Sequence, residues 1–165
     1  GNGHLEILTD DPSNLPDWYV QDIRQRLLDG SASSNDWQYK EELVRRGILS
    51  KQFGQKQEFG KKASSRVLGI NLERYGEVRP NVNHAAHHIV AGEDKRAAVA
   101  RRILKREGID INDADNGLFL EANTHNRIHN TQYYRKLTDR LLNAGQGNVR
   151  NELRRIAKEI KAGTF

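Results

Sequence analysis

The residues of this chain that could do chemistry are its histidines, because the 165-residue sequence contains no cysteine. Five of the six histidines fall between residues 84 and 129. The absence of cysteine excludes a disulfide framework, a Cys-ligated zinc finger and a thiol nucleophile. A metal ion would have to be bound by His, Asp, Glu or Asn side chains.

Two pairs of histidines in this cluster have an informative spacing. His87 and His88 are adjacent at the start of a predicted strand, so their side chains should point to opposite faces. One of them can bind a metal ion while the other faces a substrate. His125 and His129 are four residues apart on a predicted helix, which places both imidazoles on one face and suits two ligands of one metal ion. With His87 they would supply three neutral nitrogen ligands and leave a position open for water or phosphate, as in catalytic sites.

The elements that must position these histidines can be predicted from apolar periodicity and from helix and strand breakers. A short strand is predicted over residues 87–90 and a second over 117–120, after an Asn-Gly turn. An alanine-rich helix is predicted between them, over 94–106, and a long helix follows from about 124 to 142. Without the inserted helix, the order is strand, strand, helix.

The flanking segments are predicted to be mostly helical. One helix begins at Pro16-Asp17 and ends at Gly30, and a second covers about residues 36–46. Residues 65–68 are predicted to form only a short turn before Gly69. A last basic helix is predicted over 148–161, with its apolar residues facing inward.

Composition and charge restrict the function further. The mean hydropathy is −0.84, and no apolar run approaches the roughly 20 residues that a membrane-spanning helix needs. The net charge is +5, and residues 81–165, with 15 basic and 10 acidic side chains, carry all of it. A basic half suits a polyanionic partner, although a solvated helix face gives the same excess.

The second half of the chain resembles the ββα-metal nucleases of the HNH/endonuclease VII superfamily. Within that superfamily it is most similar to the group named for an Ala-His-His motif, which is present here as Ala86-His87-His88. The resemblance covers about residues 66–142. It also rests on four other segments: Leu68-Gly69-Ile70-Asn71-Leu72, Gly108-Ile109-Asp110-Ile111-Asn112, Asn116-Gly117-Leu118-Phe119-Leu120, and a final His followed by Tyr133-Tyr134.

The resemblance implies a role for each residue of the motif. His87 would be the first metal ligand, and His88 the general base that takes a proton from the attacking water. Asn116 would bond across the loop between the strands and hold that base in place. His125 and His129 would complete the site of one divalent ion, for which Zn²⁺, Ni²⁺, Mg²⁺ and Mn²⁺ all remain possible.

The implied fold is α+β and predominantly helical. Its ββα-metal core carries an inserted helix between the strands and extra flanking helices. We expect an N-terminal helical extension over 1–65, the nuclease core over 66–145 and a basic helix over 146–165 that packs on the core. Four basic residues on or beside the final core helix could bind the phosphates on either side of the scissile one: Arg127, Arg135, Lys136 and Arg140.

These implications predict a nonspecific, metal-dependent endonuclease that acts on DNA. Proteins of this group commonly form the carboxy-terminal toxin of a secreted effector delivered between bacteria, and the absence of methionine agrees with a fragment. The expected place of action is the target-cell cytoplasm, and the expected partner is an acidic immunity protein. The alternatives are a ribonuclease with the same site, a non-catalytic zinc-stabilised nucleic-acid-binding module, and a structural or carrier domain with incidental histidines.

Overall fold

The computed structural model describes residues 17–124 and 128–165. The chain divides into two compact units. The first contains the described residues up to Gln55 together with Glu73–Val78, and the second contains Lys56–Leu72 and Arg79–Phe165. The expected domain boundaries at residues 65 and 145 stay predictions.

The first unit is built on two helices, α1 (Asp17–Asp29) and α2 (Ser34–Arg45). The hydroxyl of Ser33 accepts a hydrogen bond from the Asp36 amide, and the Asp36 carboxylate accepts one from the Ser33 amide. This reciprocal capping box fixes the start of α2. The apolar core of the unit consists of Tyr19, Ile23, Tyr39, Leu43, Leu49 and Phe53.

The second unit contains a two-stranded antiparallel sheet, β1 (His84–His88) and β2 (Gly117–Glu121). In its register His87 pairs with Leu118, and His88 pairs with Gly117. The helices of the second half follow in chain order: α4 (Ala98–Arg106) between the strands, then α5 (Thr131–Ala144) and α6 (Val149–Ala162). Short 3₁₀ turns cover Lys95–Ala97, Ala114–Asn116 and Ala122–Thr124.

Helix α5 lies at the centre of the packing in this unit, since both α4 and α6 contact it. Its buried residues Leu137 and Leu141 share one apolar core with the two residues that follow β1, with β2 and with α6. The core residues contributed by these neighbours include Ile89, Val90, Leu118, Leu153 and Ile156. The predicted fold class is confirmed: a predominantly helical α+β chain has a ββα core, an inserted helix and additional flanking helices.

The predicted turn over residues 65–68 was wrong. A continuous helix, α3, runs over Ser65–Tyr75, with Gly69 inside it. An added Cβ at Gly69 would lie 2.8 Å from the Arg79 guanidinium and 3.6 Å from the Ala86 side chain. Close packing therefore explains this glycine better than helix termination does, and a helix tolerates an interior glycine at a modest cost.

Two boundaries near the histidines also differ from the prediction. Strand β1 begins at His84 and ends at His88, instead of covering residues 87–90. The long helix predicted from about residue 124 begins only at Thr131, because Asn130 has an extended backbone and caps the helix by accepting a hydrogen bond from the Tyr133 amide.

None of the helices in the described part of the chain combines the length and the apolar character that crossing a lipid bilayer requires.

Candidate active site

The end of β1 carries the two adjacent histidines. Because successive side chains of a strand alternate between faces, His87 and His88 belong to opposite faces of the hairpin. The His87 side chain is buried, with 7% of its surface exposed, whereas His88 is partly exposed. One imidazole is therefore enclosed by protein, and the other borders solvent.

Asn116 connects the segment that follows β1 to the start of β2 through hydrogen bonds. It is fully buried, and its side-chain oxygen accepts a hydrogen bond from the Val90 amide at 2.9 Å. Its side-chain nitrogen donates to the carbonyl oxygens of Val90 at 3.1 Å and Ile111 at 2.9 Å. Its own carbonyl oxygen accepts from the Ile89 amide at 2.8 Å. These bonds restrain the backbone that follows His88; they do not reach its ring.

The direct partner of His88 is Asn112, to which the sequence assigned no role. His88 Nε2 lies 2.8 Å from Asn112 Oδ1, and Asn112 is fully buried. The predicted task of holding the base is thus divided, because Asn116 restrains the loop and Asn112 contacts the imidazole. Asn112 stands inside the polar loop that precedes Asn116-Gly117, and a polar residue in a loop does not by itself indicate burial.

Residues 57–64, a segment that we call the strap, contact Asn112 and the loop around it. The Ser64 amide donates to Asn112 Oδ1 at 3.0 Å, and Asn112 Nδ2 donates to the Lys62 carbonyl oxygen at 2.8 Å. Further along the strap, the Gln57 side chain accepts a hydrogen bond from the Ala114 amide at 2.9 Å. The strap therefore satisfies the buried amide of Asn112, which would otherwise be costly to bury.

His129 lies before α5 and not within it. Its Nδ1 is 2.6 Å from the Tyr134 hydroxyl, and its ring centroid is 5.3 Å from that of Tyr133. The Tyr133 hydroxyl in turn donates to the Ile89 carbonyl oxygen at 2.5 Å. The Tyr133-Tyr134 pair therefore connects His129 with the end of β1. The prediction that the long helix carries His129 was wrong, and His125 lies outside the described residues.

Burial favours the neutral form of the candidate base. It lowers the pKa of His88 below the ordinary value for histidine, and the hydrogen bond to Asn112 opposes this only in part. A neutral imidazole is the form that accepts a proton. Near His129, hydrogen bonds from the Arg96 side chain and backbone lower the pKa of Asp94 to about 2.

A comparison with models of protein families shows to which family the chain belongs. Residues 68–162, more than half of the chain, match the model of a nuclease family of the HNH/ENDO VII superfamily with conserved AHH. The chain belongs to this AHH nuclease family. Its AHH motif is Ala86-His87-His88 on β1, where the two histidines described above stand. No curated protein and no solved structure shows significant similarity to the chain.

Membership makes the chain an endonuclease, a hydrolase, and nucleases of this superfamily typically use a metal ion. Within residues 17–124 and 128–165, no group of three His, Cys, Asp or Glu side chains gathers as a metal site. The donor chemistry nevertheless fits, because His129 Nδ1 contacts the Tyr134 hydroxyl, and the non-ligating nitrogen of a metal-bound histidine usually makes such a hydrogen bond. His87 offers a second imidazole, and His125, the third predicted ligand, falls in the undescribed part.

The basic residues predicted to bind phosphate have different environments in this AHH nuclease. Arg135 and Lys136 are exposed on α5. Arg140 instead donates to Glu152 at 2.7 Å and to Glu159 at 2.6 Å. Its guanidinium is neutralised by two carboxylates, which argues against the predicted phosphate contact. Arg127 lies outside the described residues.

Proposed function

We propose that this AHH nuclease is a metal-dependent endonuclease that hydrolyses DNA without strong sequence preference. The observation that carries the proposal is the pair of environments at the end of β1. His87 is an enclosed imidazole suited to a metal ion, and His88 is a partly exposed imidazole held by a buried amide. In this proposal the attacking water and the metal ion lie on opposite faces of one strand.

In the proposed reaction, His88 takes a proton from a water molecule whose oxygen attacks the phosphorus atom. The bond to the 3′ oxygen then breaks, the leaving oxygen takes a proton from solvent, and the His88 imidazolium returns its proton to solvent. A divalent ion bound by His87 and His129, with His125 as the third ligand, would stabilise negative charge on the phosphoryl and leaving oxygens. Asn116 keeps the strand end in place during these steps through its bonds to the Val90 backbone.

The basic excess of residues 81–165 suits a phosphate backbone, and DNA is the nucleic acid that we propose as substrate. Arg135 and Lys136 on α5 are the proposed phosphate contacts. Contacts to phosphate carry no sequence information, which is the basis for proposing a nonspecific enzyme.

The test is a plasmid-nicking assay, run in parallel on total cellular RNA, with a series of divalent ions and a chelator control. We expect nicking that requires a divalent ion and a loss of about 10²–10⁴-fold in rate for His88→Ala. The matched control is His84→Ala, which removes another histidine of β1, one bonded to Asn81 at 2.9 Å. It should cleave like the parent. RNA loss with intact plasmid would reverse the choice of substrate, and undiminished nicking in chelator would contradict metal dependence.

We further propose that the chain is the toxin domain of a secreted antibacterial effector. It would act in the cytoplasm of the target cell, and an acidic immunity protein in the producing cell would cover its basic surface. Expression in the cytoplasm of a bacterium should stop growth and degrade the chromosome, whereas the His88→Ala variant should do neither. Normal growth with active, folded enzyme in the cytoplasm would contradict the toxin role.

A further inference from the structure

The orientation of the buried Asn112 amide can be assigned from its neighbours without reference to His88. Backbone carbonyl oxygens only accept hydrogen bonds, and backbone amides only donate them. The atom 2.8 Å from the Lys62 carbonyl oxygen must therefore be the side-chain nitrogen of Asn112. The atom 3.0 Å from the Ser64 amide must be its oxygen. The strap thus removes the ambiguity that an amide flip would otherwise leave.

The orientation of the Asn112 amide determines which ring nitrogen of His88 carries a hydrogen. Asn112 Oδ1 can only accept, so His88 Nε2, which lies 2.8 Å from it, must carry a hydrogen and donate. In a neutral imidazole only one ring nitrogen carries a hydrogen. The other nitrogen of His88, Nδ1, therefore holds the lone pair that can accept a proton.

We propose that Asn112 is a positioning residue that holds His88 in the Nε2–H tautomer and makes Nδ1 the basic atom of the nuclease. The inference rests on the proposed role of His88 as general base. Both groups that orient the Asn112 side chain, the Lys62 carbonyl and the Ser64 amide, precede the family match, which begins at residue 68. The strap is thus part of the working site of this chain although the family model does not include it.

The tautomer can be measured directly, without any nuclease assay. Two-bond ¹H–¹⁵N correlation spectra of the full-length chain distinguish Nε2–H from Nδ1–H, because the ring carbon protons couple differently to the two nitrogens. Spectra at about pH 8 record the neutral ring, since histidine ordinarily titrates near 6.5. The His88 signals are assigned by their absence in His88→Gln. We expect the Nε2–H pattern, and a dominant Nδ1–H pattern would overturn the proposal.

Two variants of Asn112 separate positioning from folding. Asn112→Ala removes the acceptor, so the His88 signals should become those of a mixed population of tautomers. On plasmid DNA kcat should fall about 10–100-fold, with a much smaller change in KM. Asn112→Asp keeps an acceptor oxygen for Nε2–H and should retain the Nε2–H pattern and recover part of kcat. An unchanged tautomer and an unchanged kcat in folded Asn112→Ala would overturn the proposal.

The matched control is Asn71→Ala. Asn71 is as fully buried as Asn112 and donates to the carbonyl oxygens of Asn112 and Glu58, both at 2.8 Å, without touching His88. Its removal should lower thermal stability and leave the His88 tautomer unchanged. If Asn71→Ala altered the tautomer as much as Asn112→Ala, a general loosening of the site would explain both results. A chain that shows the expected tautomer but cleaves no nucleic acid would refute the proposed function and not the positioning.

Discussion

At the scale of single residues, Gly117, which lies opposite His88 in the sheet, is packed closely against Leu68. Gly117 pairs with His88 in the sheet, and a Cβ added there would lie 2.6 Å from Cδ1 of Leu68 and 2.9 Å from its Cγ. Leu68 is fully buried, so it has little room to move. The backbone of Gly117 is extended, with φ −152°, and any residue can adopt that conformation. The requirement for glycine is therefore steric and not conformational.

Gly117→Ala should lower the free energy of unfolding by about 1–3 kcal/mol, because it overpacks a close contact between β2 and α3. The plasmid-cleavage rate should fall as well, since His88 lies directly across the sheet. Denaturant unfolding and plasmid cleavage measure the two effects. Leu68→Ala should cost about 2–5 kcal/mol alone. The double variant should lose less than the sum of the two single losses, and strict additivity would show that the two residues do not compete for space.

At the scale of elements, the start of α5 determines where His129 stands. A helix that continued back to residue 124 would have carried His129 in its second turn. Asn130 prevents this by adopting φ −119° and ψ 174° and by capping the Tyr133 amide. The helix therefore begins one residue after the cap, and the His129 ring is oriented by Tyr134 instead of by helical spacing.

Asn130→Ala should cost about 0.5–2 kcal/mol in stability and weaken divalent-ion binding, because the start of α5 and the orientation of His129 are lost together. Isothermal titration with Zn²⁺ and thermal unfolding measure the two effects. The comparison variant is Asn148→Ala, because Asn148 precedes α6 without a side-chain capping bond. It should change both quantities less. Equal losses in the two variants would contradict the role of the cap.

The first unit offers a separate prediction about acid stability. The Arg26 guanidinium, at 2.9 Å, lowers the pKa of Asp36, and the Ser33 backbone adds to the effect. A carboxyl whose pKa is lowered by folding stabilises the fold above its ordinary pKa of about 3.9. That stability is lost as the pH falls through the folded-state pKa.

Asp36→Ala should therefore reduce the hydrogen-exchange protection of the α2 amides by about 1–3 kcal/mol at pH 7. The difference from the parent should shrink as the pH falls below the ordinary carboxyl pKa. Glu41→Ala, which removes the same charge from an exposed position of α2, is the control and should have a small effect at both pH values. A difference that stays constant with pH would show that the ion pair contributes nothing.

At the scale of the whole molecule, charge distribution should govern the binding of DNA. In the inactive His88→Ala background, DNA affinity should fall with salt, because each phosphate contact releases counterions. Replacing Arg135 and Lys136 together by alanine should reduce the slope of log affinity against log salt by roughly 2, at about 0.9 per contact. Filter binding over a salt series measures the slope. Arg45→Ala with Lys51→Ala removes the same charge from the first unit and should leave the slope unchanged.

Local patterns predicted much of the second unit. A short apolar run after an Asn-Gly turn located β2, and alanine-rich periodicity located the inserted helix, because both signals depend on neighbouring residues. Helix α3 escaped prediction because Gly69 suggests a break locally, whereas in the fold it provides room for Arg79 and Ala86. The start of α5 escaped prediction because an asparagine cap competes with helical periodicity, and the sequence does not show which prevails.

The types and spacing of residues indicated which groups were available for catalysis: two adjacent imidazoles, two more imidazoles four residues apart, and no thiol. Which of these groups lie together depends on how the chain packs. The contact between His88 and Asn112 joins residues 24 positions apart, and the contact between Ser64 and Asn112 joins residues 48 positions apart. Neither spacing is periodic, and a buried amide finds its partners only when the strap, the loop and the strand pack together.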